Sequence, residues 1–129
     1  MPIHFRYHTD RQLLVQVGIG QVSIEEIETL RDSLRQAGIP LPVLNTITDM
    51  RKAQFGFDLN SIRANEEGMG QEDYTGARHA ALADDSRTTA YMMAWRGWLP
   101  PTIEVEVFSV PESAYSWLGV QHLDGDLDF

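Results

Sequence analysis

An acid and a base stand two residues apart in "TDMR", where Asp49 and Arg51 follow the β-branched run from Val43 to about Thr48. Open α/β sheets collect ligands at the carboxyl ends of parallel strands, so a carboxylate and a guanidinium placed there form a candidate rim for a ligand or partner. Asp84, Asp85 and Arg87 occupy the matching place after a second short run, "HAALA", and can share that rim. Plainer roles compete for each. Asp49 can bond a neighbouring amide, Arg51 can pair with a surface acid, and Asp85 or Ser86 can cap a helix. Asp58, in "FGFDLNSI", either caps a helix or supplies a fixed negative charge at its head, where the helix dipole favours an anion.

Beyond that rim the reactive side chains do not assemble into a catalytic signature. The chain has no cysteine, which removes disulfides, thiol nucleophiles and zinc–thiolate sites together. Its serines lie in no Gly-x-Ser-x-Gly elbow. His4 and His8 share a strand face but lie roughly 13 Å apart at about 3.3 Å per residue, too far to hold one metal. His79 and His122 have no evident ligand neighbours. The string of His122, Asp124, Asp126 and Asp128 faintly resembles a calcium loop with its glycine misplaced. "GIGQVS" holds two glycines of a dinucleotide fingerprint without the third, and turn glycines explain it better. No metal and no cofactor are expected.

The elements that must position these residues follow from patterning. "IHFRY" and "QLLVQV" read as a hairpin, Ile3 to Tyr7 and Gln12 to Val17, turning at Thr9 and Asp10. Ser23 and Glu26 form a capping box, and Ile24, Ile27, Leu30, Leu34 and Ala37 recur at helical spacing until Gly38 and Pro40 stop the helix. The run from Val43 reads as a strand, although Asn45, Thr46 and Thr48 make it more polar than a doubly covered strand usually is. Asp58 heads a short helix carrying Leu59 and Ile62, ended by the acidic loop "EEGMGQED". A strand "HAALA", a helix from Asp85 or Ser86 to Pro100 and Pro101, the alternating strand "TIEVEVF" and a helix capped by Ser109 and Glu112 complete the order β-β-α-β-α-β-α-β-α. Strands alternating with helices imply a largely parallel sheet. A chain of 129 residues, 43% hydrophobic, suits one domain, residues 1–120, followed by a fraying acidic tail, 121–129.

Charge and hydropathy exclude several classes. With a net charge of −9 and ten scattered bases, the chain should repel nucleic acid and anionic lipid. It holds no apolar run near the roughly 20 residues that cross a bilayer, and its start lacks the plan of a signal peptide, so a cytoplasmic protein is expected. "AYMMAWRGWLPP" is the most unusual stretch, apolar around so much of a helix that more than one side must be covered. One stripe faces the sheet; the other, with Tyr91, Met92 and Trp95, is expected to form an exposed surface that pairs two copies as a homodimer.

The order of elements, with "GQVSIEEIETL", "TDMR", "HAALADD" and "VEVFSVPESAYSWL", resembles the STAS-like domains, and specifically the SpoIIAA-like branch of small bacterial proteins. The resemblance covers roughly residues 3 to 120. It implies a mixed, mostly parallel sheet of four or five strands with an N-terminal hairpin, helices mainly on one side, and no established catalysis. It also implies regulation through protein contacts, switched by phosphorylation of a serine at the start of the second helix. Here that region reads "FGFDLNSI", without the Asp-Ser-x-Gly pattern, and its first serine, Ser61, falls about a turn into the helix. The leading expectation is a non-enzymatic regulatory interaction module. Its rival is a carrier or sensor of an apolar or anionic small molecule beside the methionine and tryptophan helix. An enzyme using Asp49, Arg51 and Asp84 is the third reading. An internal pocket would favour the rivals and a flat apolar patch the module. Incubated with ATP and an anti-sigma-type kinase, the protein is expected to take up no phosphate; stoichiometric phosphate on Ser61 by mass spectrometry overturns this.

Overall fold

The computed structural model describes residues 3–58, 60, 76–98 and 102–129. Strands β1, Ile3–His8, and β2, Leu13–Val22, pair antiparallel from Ile3↔Gly18 to His8↔Leu13. β2 runs five residues past the expected end at Val17, through "GIGQV". Its glycines are therefore strand glycines. A Cβ on Gly18 would lie 2.5 Å from Met50 Sδ, and Gly20 takes φ +78. A side chain at Gly18 would require Met50 to move, and the φ of Gly20 is one that glycine adopts without strain.

Helix α1, Ile24–Gln36, starts where its capping box places it. Ser23 Oγ accepts from the Glu26 N–H at 3.2 Å and donates to Glu26 Oε1 at 3.2 Å. A short 3-10 turn, Leu41–Val43, takes the residues expected to open the third strand, so β3 spans Asn45–Phe55. β3 lies parallel to β2 and shifts register by one residue, from Val17↔Asp49 to Ile19↔Lys52. Asp49 and Arg51 thus lie within a strand rather than beyond it. β4, Arg78–Leu82, runs parallel to β3 only as far as Asp49↔Leu82.

Helix α2, Ser86–Trp98, is capped by Asp85, whose Oδ1 accepts from the Thr88 N–H at 2.7 Å. β5, Glu104–Phe108, adds a parallel edge strand beside β4. Helix α3, Pro111–Leu118, begins later than the Ser109–Glu112 spacing suggests. Proline suits the first helical position, so Val110 becomes the cap and no side chain bonds there. Gly119, at φ +71, ends the helix.

The fold is thus a mixed, mostly parallel five-stranded sheet in the order β1-β2-β3-β4-β5, opened by the antiparallel hairpin. Each face has its own core. On one, α1 and α2 cover Leu14, Met50, Ala53, Phe55 and Ala81. On the other, α3 contributes Ala114, Tyr115 and Leu118 against Leu13, Val15, Val17, Ile47, Ala80 and Leu82. Of the short helix expected after Asp58, Leu59 and Ile62 fall outside the described residues, as does the loop "EEGMGQED".

Two expectations are corrected here. Tyr91 and Met92 are 8% and 7% exposed, so they form no surface patch. The extension of β3 is the cause. It carries Phe55 against the second stripe of α2, and Tyr91 stacks on Phe55 at 4.9 Å, meets Phe57 edge-on at 5.9 Å and donates its hydroxyl to the Phe57 carbonyl. Trp95 is half-buried beside the same core, and among the described side chains of α2 the exposed large apolar one is Met93.

The tail does not fray. Asp126, 5% exposed, accepts from Nη1 and Nη2 of the Arg11 guanidinium at 2.7 and 2.8 Å, from the Tyr115 hydroxyl at 3.1 Å and from the Leu123 N–H at 3.1 Å. Leu127 packs against the α3 core, His122 stacks on Tyr115 at 4.3 Å, and Arg6 sits 4.2 Å over the Phe129 ring. Hydrogen bonding from Arg11, more than any other contact, pulls the Asp126 carboxyl down to about 2. Burial and the neighbouring Asp126 charge push the Tyr115 hydroxyl up.

The carboxylate form is favoured by folding, so this stabilisation is complete above the ordinary carboxylate range and disappears as pH falls through about 2. Asp126→Asn is expected to cost roughly 2 kcal/mol in urea unfolding at pH 7. The gap between the two proteins should narrow between about pH 4 and pH 2; a gap that stays constant means the ion pair is not its source.

Candidate functional site

The expected rim is only partly brought together. Asp49, 3% exposed, accepts the Arg51 backbone N–H at 3.1 Å and Arg51 Nε at 2.9 Å on Oδ1, and Arg51 Nη2 at 2.9 Å on Oδ2. The extra residue in β3 explains the arrangement. A bulge leaves a strand N–H without its ladder partner, and Asp49 satisfies the one at Arg51. Hydrogen bonding to Asp49 raises the Arg51 pKa, with Asp84 and Glu112 adding to the field. Asp85 and Arg87 turn elsewhere: Asp85 caps α2, and Arg87 Nη2 donates to the Phe55 carbonyl at 3.3 Å. Hydrogen bonds from Thr88 hold the Asp85 carboxyl low.

A polar cleft of about 520 Å³ adjoins Asp85 and Arg87. Gln21 and Gln54, in its wall, bond each other at 2.9 Å. Asp58 is exposed after β3. Ser61 lies outside the described residues. No cluster of three or more His, Asp or Glu suited to a metal occurs among the described residues. Within the same residues no helix is long and apolar enough to cross a membrane.

The feature that patterning missed lies between the sheet and its two covering helices. There a pocket of about 160 Å³ is walled by Ile27 and Leu30 of α1, Met92 and Trp95 of α2, and Leu14 and Met50 of the sheet. Its floor is polar. Gln16, Thr46 and Thr48, 8%, 6% and 6% exposed, and His79 all line it. The parallel register sets Gln16 beside Thr48 and Thr46 beside His79 on adjacent strands. The Thr48 hydroxyl donates to Gln16 Oε1 at 2.9 Å and lies 2.6 Å from His79 Nε2. With that hydroxyl proton directed at Gln16, His79 carries its proton on Nε2 and donates to Thr48. Trp95 meets the imidazole edge-on at 4.6 Å. His79 is half-buried in the pocket wall, and desolvation pushes its pKa down to about 3. The imidazole is neutral at physiological pH.

One sequence signal did point here. Thr46 and Thr48 alternate on a strand otherwise made for a covered sheet, and only the neighbouring strands show what their hydroxyls meet.

No family model and no curated protein matches this chain. Among solved structures it is similar to an uncharacterized protein of the DUF3478 family with a SpoIIAA-like fold from Shewanella loihica. That likeness has a TM-score of 0.61 at 17% identity over 90% of this chain and 91% of the other. The anti-sigma factor antagonist SpoIIAA in its unphosphorylated form is also matched, at a TM-score of 0.48 and 15% identity over 91% of this chain and 97% of that one. The fold is SpoIIAA-like.

The desolvated neutral imidazole has a consequence for stability. Below about pH 6.5 the unfolded chain binds a proton at His79 that the folded chain refuses until about pH 3. Stability therefore falls as pH drops through that window, by up to roughly 1 kcal/mol per unit. His79→Gln keeps a donor for Thr48 without titrating, and urea unfolding at about pH 7, 5.5 and 4 should show a flatter dependence for it. Parallel pH profiles for the two proteins would place His79 in contact with bulk water.

Proposed function

We propose that this SpoIIAA-like domain is a non-enzymatic sensor or carrier that holds a small molecule in the pocket under α1 and α2. One observation carries the reading: a pocket with apolar walls keeps three polar side chains, each under a tenth exposed, on its floor. Thr48 bonds Gln16 and meets His79, and none of the three side chains holds a fully buried polar atom without a partner, so the polar floor opens to the pocket rather than into packed core. Apolar walls with a few convergent polar groups are the usual form of a ligand site. The stripe that favoured a protein-pairing surface is buried, which removes the main support for a homodimer through Tyr91, Met92 and Trp95.

A second reading, a regulatory module acting through protein contacts, keeps support from the other end of the sheet. There Arg51, its side chain 28% exposed, is held by Asp49 in the field of Asp84 and Glu112. An acidic, partly exposed rim of this kind suits a basic partner segment.

The test of the first reading is thermal unfolding against a panel of one-ring fragments, neutral and anionic. A fragment present at about a hundredfold over its Kd adds about 2.7 kcal/mol, which raises Tm by several degrees. Ile27→Trp, which places an indole in the pocket from the half-buried face of α1, is expected to abolish the rise while keeping far-ultraviolet circular dichroism. No rise with any fragment, or an equal rise in Ile27→Trp, sinks the reading.

A further inference from the structure

The inference rests on the pocket reading and names its ligand class. We infer that the pocket takes a neutral, single-ring molecule bearing one hydroxyl or carbonyl group, which accepts a hydrogen bond from the Gln16 side-chain amide.

Size comes first. The volume of about 160 Å³ is close to that of an engineered apolar cavity of about 150 Å³ that stays dry and binds benzene. A single ring with one substituent fits; a sterol or a long acyl chain does not.

The head group follows from hydrogen-bond accounting on the floor. Gln16 Oε1 receives the Thr48 hydroxyl, while the Gln16 amide nitrogen, with two donor hydrogens, has no acceptor among the described residues. Gln16 is 8% exposed and lines the pocket, and its amide nitrogen is not among the fully buried atoms that lack a partner, so that nitrogen opens to the pocket space. A donor set among apolar walls calls for an acceptor in the ligand. On the other side of Thr48, the His79 ring is engaged through Nε2, and its Nδ1 has no donor among the described residues. A hydroxyl or carbonyl on the ligand can accept from Gln16.

Neutrality follows from charge. The polar floor of Gln16, Thr46, Thr48 and His79 contains no cation, because the imidazole is held uncharged by its burial. Of the two arginines that also line the pocket, Arg78 gives Nε to Glu104 at 2.9 Å and Nη1 to the Trp117 carbonyl at 2.7 Å. Arg31, on α1, has interactions of its own and marks where an anion would be held if the inference is wrong. A carboxylate taken onto the floor would lose its hydration without gaining a counter-charge there.

Three probes of nearly equal size separate the possibilities: p-cresol, toluene and 4-methylbenzoate, each titrated into the full chain with ¹H–¹⁵N spectra and calorimetry. p-Cresol is expected to bind saturably, at least tenfold tighter than either of the others. Gln16→Met, which keeps length and volume without the amide, is expected to bring p-cresol down to the toluene level and leave toluene unchanged. Unchanged toluene binding also shows that the variant is folded. Equal affinity for toluene and p-cresol, with no effect of Gln16→Met, overturns the ligand class and leaves the pocket reading standing. Tightest binding by 4-methylbenzoate, lost in Arg31→Gln, assigns an anion instead. Failure of all three to bind, in a protein that unfolds cooperatively, overturns the pocket reading itself.

Discussion

One additional residue in β3, opposite the step from Val17 to Ile19, organises this protein. Before it, Thr46, Thr48 and Met50 face α1 and α2 while Ile47 and Asp49 face α3. In an unbroken strand Ala53 and Phe55 would then turn toward α3. The bulge resets the alternation, so both join Met50 in the core under α1 and α2. Three other features depend on that reset. Phe55 reaches the second stripe of α2, Met50 packs against β2 at Gly18, and Asp49 closes on the freed Arg51 amide.

A parallel sheet must be covered on both faces, and α3 is too short to cover its face alone. The C-terminal segment completes the layer. Arg11, in the turn between β1 and β2, reaches Asp126 and leaves its own Nε without a partner among the described residues. Two nearly buried charges are costly to desolvate, and here the bidentate geometry, the Tyr115 hydroxyl and the Leu123 amide offset that cost. The tie fastens the last residues to the first hairpin. It also holds His122 and Leu127 against the α3 core.

The two faces of the sheet consequently differ in composition. The α3 face is closely packed, with Leu13, Leu82, Ala80 and Ile47 fully buried. The α1 and α2 face is looser near β2, β3 and β4, and its floor is polar at Gln16, Thr48 and His79. A sheet that needed only to be covered would carry valine or isoleucine at those positions. The departure from that composition is the strongest argument for a ligand.

How much of this was legible in the linear chain depends on the range of each interaction. The capping box at Ser23 and Glu26, the amphipathic run of α1, the hairpin and the alternation of β5 rest on contacts a few residues apart, so they could be read directly. The element order that follows from them was enough for a SpoIIAA-like sheet. The polarity of Thr46 and Thr48 was visible but had no explanation, because its partners Gln16 and His79 lie about thirty residues away on other strands. Tyr91 and Met92 read as surface because nothing local shows that β3 outruns its expected end and brings Phe55 against them. The tail read as frayed because Asp126 finds Arg11 115 residues away. Register between distant strands decides the first two and a long-range ion pair the third, and register is settled only when both faces of the sheet are buried together.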